Sequence, residues 1–139
     1  MGPLFDENIS NSTYPADTVY LTGVAGSADV GKPVILAGAT TFALAEDGDD
    51  FEGFIYAVDP VFADGTVTGS IQRQPLLRKR VINAGATQLA IGDTVVAAAQ
   101  VTAGTKGKPQ VKAGAGSWRV IELLNGTGLQ TEELVIEKV

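Results

Sequence analysis

Short apolar or alternating runs separated by glycine and acidic turns dominate the chain. Thr18-Val19-Tyr20-Leu21-Thr22 alternates and stops at Gly23. Pro33 to Ala37 is an apolar run between Gly31 and Gly38, and Thr41 to Ala45 follows and ends at an acidic turn. Phe54-Ile55-Tyr56-Ala57-Val58 stops at Asp59-Pro60. Gly65 to Gln72 alternates behind Asp64-Gly65, a dipeptide suited to a tight hairpin turn. Arg80 to Asn83, Thr94 to Ala99, Pro109 to Lys112, Ser117 to Leu123 and Glu133 to Val139 complete the series. Ten strand candidates at this spacing predict an all-β body, a small β-barrel or β-sandwich over residues 18–139. No window has an amphipathic helical face. Pro75 to Arg80 is expected to make at most one helical turn. On a strand, Arg78 and Arg80 share one face and Lys79 takes the other.

Two stretches echo each other. Gly31-Lys32-Pro33-Val34-Ile35 leads through a variable excursion to Gly53-Phe54-Ile55-Tyr56-Ala57-Val58. Gly92-Asp93-Thr94-Val95-Val96 leads likewise to Trp118-Arg119-Val120-Ile121-Glu122. Two copies are too few for a solenoid. A pseudo-repeated β-domain and chance recurrence of strand-and-turn patterning both account for the echo.

Residues 1–17 differ from the body. Asn8 to Pro15 is polar without period, and the segment is expected to be an extended N-terminal arm. A frayed terminus is the plain reading. Leu4, Phe5, Ile9 and Tyr14 favour a docking arm, because a purely solvated tail rarely keeps four large apolar groups.

Composition narrows the chemistry. The 139 residues suit one modest domain, and the 17 glycines exceed the roughly 7% of average usage, as many tight turns require. There is no cysteine and no histidine. Disulfides, thiolate nucleophiles, Ser-His and Cys-His catalysis and His- or Cys-ligated metals are therefore excluded. The expectation is a protein that is not an enzyme, with no catalytic, cofactor-binding or metal-binding residues and no cofactor. A net charge of −6 disfavours nucleic acid as a partner. No apolar run reaches the ~20 residues that span a bilayer, so no membrane partner is expected. The opening lacks the basic and apolar regions of a cleavable signal, which predicts a soluble protein made in a cytoplasm.

Glu46-Asp47-Gly48-Asp49-Asp50-Phe51-Glu52 carries five carboxylates in seven residues. An EF-hand loop requires a later glycine and flanking helices. A solvated acidic turn is the expected reading, ahead of an acidic docking patch or a metal site. Arg73, Arg78, Lys79 and Arg80 form a basic cluster without interleaved aromatics, which suits an ion-paired surface or a protein contact better than nucleic acid. Gly104-Thr105-Lys106-Gly107-Lys108 lacks phosphate-loop spacing and reads as a flexible turn. Phe54, Tyr56 and Trp118 are expected in the core or at subunit contacts rather than stacked on a ligand.

The acidic, Gly/Ala/Val/Thr-rich chain thus combines an apolar-spotted arm with a set of characteristic runs. These are Gly53 to Pro60, Gly65 to Arg73, Gly92 to Ala97, Trp118 to Ile121 and Leu134 to Glu137. In this it resembles the capsid decoration (cement) proteins of tailed bacteriophages, over roughly residues 18–139. The resemblance implies a non-enzymatic virion protein that binds the outside of an expanded icosahedral shell and stabilises it. It implies a barrel or β-tulip body, the phage major capsid protein as partner, a homotrimeric state, and an arm that completes a sheet on that capsid protein. Leu4, Phe5, Ile9 and Tyr14 would then be the capsid contacts. Another β-rich virion part (head fibre, head-completion piece or tail component) and a cellular β-sandwich binding module are the alternative readings.

Overall fold

The computed structural model describes residues 16–100 and 108–139. All ten runs form strands: β1 (Asp17–Thr22), β2 (Pro33–Leu36), β3 (Thr41–Leu44), β4 (Gly53–Val58), β5 (Val67–Gln72), β6 (Arg78–Asn83), β7 (Thr94–Ala97), β8 (Gln110–Ala113), β9 (Trp118–Leu123) and β10 (Glu133–Lys138). The sole helical element among the described residues is a short 3-10 turn, Ser27–Asp29. The protein is all-β, as the alternation predicts.

The strands close into two barrels. The first runs β1-β3-β2-β4-β5 and the second β10-β6-β8-β7-β9. In each, the first strand pairs parallel with the third and antiparallel with the fifth, and the remaining neighbours are antiparallel. The second barrel therefore repeats the topology of the first.

The registers repeat as well. Leu21 faces Phe42 where Asn83 faces Val111, and Ile55 faces Ile71 where Val120 faces Ile136. Even the irregularity recurs: β4 and β5 shift register between Ile55 and Ala57, at the place where β9 and β10 shift opposite Val135 and Ile136. Superposing the registers makes Val19, Val34 and Ile71 equivalent to Val81, Val95 and Ile136, and all six are buried. Gly31 and Gly92 hold equivalent turns at φ +92° and +96°, a region open mainly to glycine. Each donates its N–H to the strand opposite, Gly31 to Ile55 and Gly92 to Val120. The echo in the sequence is a structural repeat.

Each barrel has an apolar interior. Val19, Leu21, Val34, Phe42, Ile55 and Ile71 fill the first. Val81, Val95, Val111, Val120, Leu134 and Ile136 fill the second, and their cluster extends to Ala45, Phe51 and Phe54 of the first half. The seam is aromatic. Phe51 stacks on Trp118 at 5.0 Å between centroids, and Phe54 meets the same indole edge-on at 5.1 Å. Trp118 Nε1–H donates to the Phe51 carbonyl at 2.9 Å, so the indole is buried with its polar atom paired. The body treated as one β-domain is thus a pair of barrels joined through shared core.

Pro75 to Arg80 does not make a helical turn. Residues 75 and 76 form a tight turn with Leu76 at φ 63°, and β6 starts at Arg78. Pairing of β6 with both β10 and β8 overrides local propensity. On β6, Arg78 and Arg80 do share a face, while Lys79 is buried on the other, its ammonium 5.5 Å from the Phe54 ring centre. Because both sheets are closed, the described residues leave no strand edge to hide, and edge protection gives no reason for a ring of subunits.

Candidate docking surface

The acidic segment is where the halves are clasped. It is largely exposed, as a solvated turn would be, yet its groups reach across the seam. Asp47 Oδ2 accepts from Lys112 Nζ at 2.8 Å. Asp50 accepts from the Ser117 N–H at 2.8 Å and from its hydroxyl at 2.7 Å. Gly48 N–H donates to the Ala97 carbonyl and Ala97 N–H to the Asp49 carbonyl, both at 2.8 Å. Lys138 Nζ donates to the Glu52 carbonyl at 2.6 Å and to the Arg73 carbonyl at 3.1 Å. Asp49 turns back to cap the Glu46 N–H at 2.8 Å. Phe51, in the middle of this charged run, is 1% exposed and supplies the stacking ring. The segment therefore anchors one barrel on the other, and among the described residues no group of three carboxylates is arranged to hold a metal ion.

Charge follows the same division. Residues 16–72 contain nine carboxylates and one cation, whereas residues 73–139 contain five carboxylates and nine cations. Part of this opposition is consumed at the seam by Lys112–Asp47 and the looser Lys138–Glu52 pair, while Arg73 pairs with Asp17 of β1 beside the Phe42 ring. Hydrogen bonding from Lys112 holds the Asp47 carboxyl below the usual carboxylate range. Burial pushes the Lys138 ammonium below its ordinary value.

The second barrel carries a paired ionic wall on β6, β10 and β9. Glu137 accepts from Arg78 and Arg119, each at 3.0 Å. Burial alone would raise the Glu137 carboxyl, but its two guanidinium partners outweigh that and hold it low. Glu133 accepts from Lys108 at 2.6 Å and lies 3.2 Å from Arg80, and hydrogen bonding from Lys108 leads in lowering it. Each of these two carboxylates is shared by two cations. Arg78 and Arg80 of the basic cluster thus lie on an ion-paired surface, while Lys79 is buried behind them.

The equivalent wall of the first barrel is built differently. Ala57, Ser70 and Thr18 stand in register where the second barrel has Glu122, Val135 and Arg80. Tyr20 and Thr68 stand where Ile82 and Glu133 do. Asp59, whose N–H reaches the Thr68 carbonyl, also accepts from the Thr68 hydroxyl at 2.9 Å. Among the described residues the wall holds this one carboxylate and no cation. Tyr20 is 51% exposed on it, and Tyr56, at the β4 irregularity, is 42% exposed.

Beyond the wall, β4 and β5 continue as a hairpin. Phe62 N–H donates to the Thr66 carbonyl and Gly65 N–H to the Phe62 carbonyl. Asp64 Oδ1 accepts from the Thr66 N–H at 2.9 Å, which closes the Asp64-Gly65 turn read from the sequence. Residues 59–65 are all exposed, Val61 and Phe62 by 59% and 55%. The corresponding connection in the second barrel is tied down instead. Leu89 N–H donates to Gly128, Thr131 N–H donates to Asn83, and the buried Asn83 amide donates to Gly128 at 2.8 Å.

Of the residues singled out from the sequence, Phe54 and Trp118 lie together in the seam, and Tyr56 is on the surface rather than in the core. Leu4, Phe5, Ile9 and Tyr14 fall outside the described residues, as does most of the Gly104 to Lys108 turn. Sequence reasoning passed over Phe51, Val61 and Phe62. The available signal was a large apolar side chain beside carboxylates: Phe51 inside an acidic run, and Val61 and Phe62 between Asp59 and Asp64. No protein-family model and no curated protein matches the chain.

Proposed function

We propose that the protein is a structural virion component that binds the outside of an icosahedral phage shell through its N-terminal arm and cements it, as the resemblance to decoration proteins implies. The observation that carries this reading is the closure of both sheets. An extended arm gains affinity by adding a strand to an open sheet edge. Among the described residues neither barrel offers such an edge, to its own arm or to another copy's. On this reading the arm adds a strand to a different protein's sheet, with Leu4, Phe5, Ile9 and Tyr14 as its apolar anchors.

Other features support binding over chemistry. The Asp47, Glu133 and Glu137 carboxyls are held low by cations, the reverse of the raised value a general acid needs. The two-barrel body is stapled by aromatic stacking and ion pairs, as suits a rigid platform. Placing the body on a shell in three copies is what the resemblance implies.

Deleting residues 1–14 tests the reading. The body should keep its melting temperature, because its core and clasp lie at residue 17 and beyond. Occupancy on expanded shells of the encoding phage should fall steeply at a fixed free concentration. Burying one such apolar side chain contributes roughly 1.5–3 kcal/mol, and two or three are lost together. Full decoration by the truncated protein would remove the arm from the account.

A further inference from the structure

We infer that the 59–65 hairpin is a contact to a second copy of this chain, seated on the β6–β10–β9 wall of that copy. The tandem repeat supplies an internal control. Two barrels share topology and register, yet in one the connection between the last two strands is bonded down and in the other it projects with Val61 and Phe62 uncovered. The bonded connection exposes Leu129 by 49%, so what sets the first barrel apart is a projecting tip with two adjacent apolar side chains. Two neighbouring large apolar side chains at a hairpin tip are a burial site waiting for a surface.

Charge selects the surface. The tip is flanked by Asp59 and Asp64, and neither belongs to an ion pair among the described residues. Two tips facing each other would place these four carboxylates together, which disfavours a symmetric tip-to-tip dimer. The second barrel presents the complement. Arg78, Arg119, Arg80 and Lys108 share Glu137 and Glu133 there and Glu122 stands in the same row, which leaves one positive charge in excess beside the exposed guanidiniums of Arg78 and Arg119. Their stems offer apolar cover as well as charge. First barrel against second barrel is a head-to-tail contact, which closes into a ring when its rotation allows. The contact stands apart from shell binding, since it needs only this chain.

Sedimentation of the full-length protein tests it. In 0.1 M salt the mass should be a multiple of the 14.3 kDa chain. Val61→Ser with Phe62→Ser should raise the dissociation constant on the order of tenfold or more, with the melting curve unchanged because both side chains are exposed. Asp64→Lys, or salt near 1 M where screening reaches about 3 Å, should weaken association in the same direction. A mass of one chain at every concentration overturns the proposal. So does association that survives the double substitution, or a double variant that keeps its mass and loses only its hold on shells, which would assign the tip to the shell instead.

Discussion

Truncating Phe51 to alanine probes the seam most sharply. The ring is 1% exposed, stacks on Trp118 at 5.0 Å and packs on Phe54 at 5.2 Å. The bond from Trp118 Nε1 goes to the Phe51 carbonyl, so it survives the substitution and only apolar packing is lost. Phe→Ala in a core costs about 3–5 kcal/mol, and the cavity here lies between two barrels that relax toward each other only if the clasp moves. Unfolding entropy near 2.1 cal/mol/K per residue, taken over 139 residues, converts that loss to a fall of about 10–17 °C in melting temperature. Trp118 is the one tryptophan and sits in the seam, so its fluorescence reports the seam while circular dichroism reports both barrels. In the parent protein the two probes should give one urea transition, because the second barrel's core continues into Phe51 and Phe54. A loss below about 1 kcal/mol in Phe51→Ala, where core truncations normally cost several, would refute the shared core.

Further expectations follow from the same contacts. Acid should loosen the protein. Asp47, Glu133 and Glu137 titrate lower folded than unfolded, so their stabilisation is complete above the unfolded range near pH 4–4.5. It is lost as pH falls through the folded values, and a urea midpoint that rises between pH 5 and pH 3 would contradict this. Gly53→Ala should destabilise strongly, since a Cβ there would lie 2.1 Å from the Gln72 carbonyl oxygen and 2.9 Å from Arg73 Cβ. Overpacking of this kind costs about 1–3 kcal/mol or more, and a neutral result in thermal melting would show that β4 and β5 are further apart. Calcium should leave the melting temperature nearly unchanged, because Asp47 and Asp50 are turned to Lys112 and Ser117. A rise at saturating calcium that Asp49→Asn with Asp50→Asn abolishes would overturn that assignment.

All ten strands and the Asp64-Gly65 turn were legible in the sequence, because alternation and glycine placement are local signals. The repeat was visible only as an echo of Gly31 to Ile35 in Gly92 to Val96. Its completion depends on parallel pairing of β1 with β3 and β6 with β8, which no local pattern encodes. The acidic segment shows why site reading stopped short. Its charges are obvious, but its partners Lys112, Ser117 and Lys138 are 65, 67 and 86 residues away in sequence. Tyr56 was read as core or contact from its apolar strand, and the irregularity opposite Ser70 and Ile71 leaves it exposed. Phe54 and its equivalent Arg119 differ for a physical reason. The outer side of β4 meets the second barrel, whereas that of β9 faces solvent and pairs with Glu137.

The proposed shell binding is tested most directly by mixing the intact protein with expanded, undecorated shells of tailed phages and counting copies by co-sedimentation. The account predicts saturable binding at a fixed number of copies per shell, visible as added density on the outer surface, with shells that resist heat or chelation better once decorated. No co-sedimentation at protein concentrations far above those of the shell sites, or copies found only inside the shell, would contradict it.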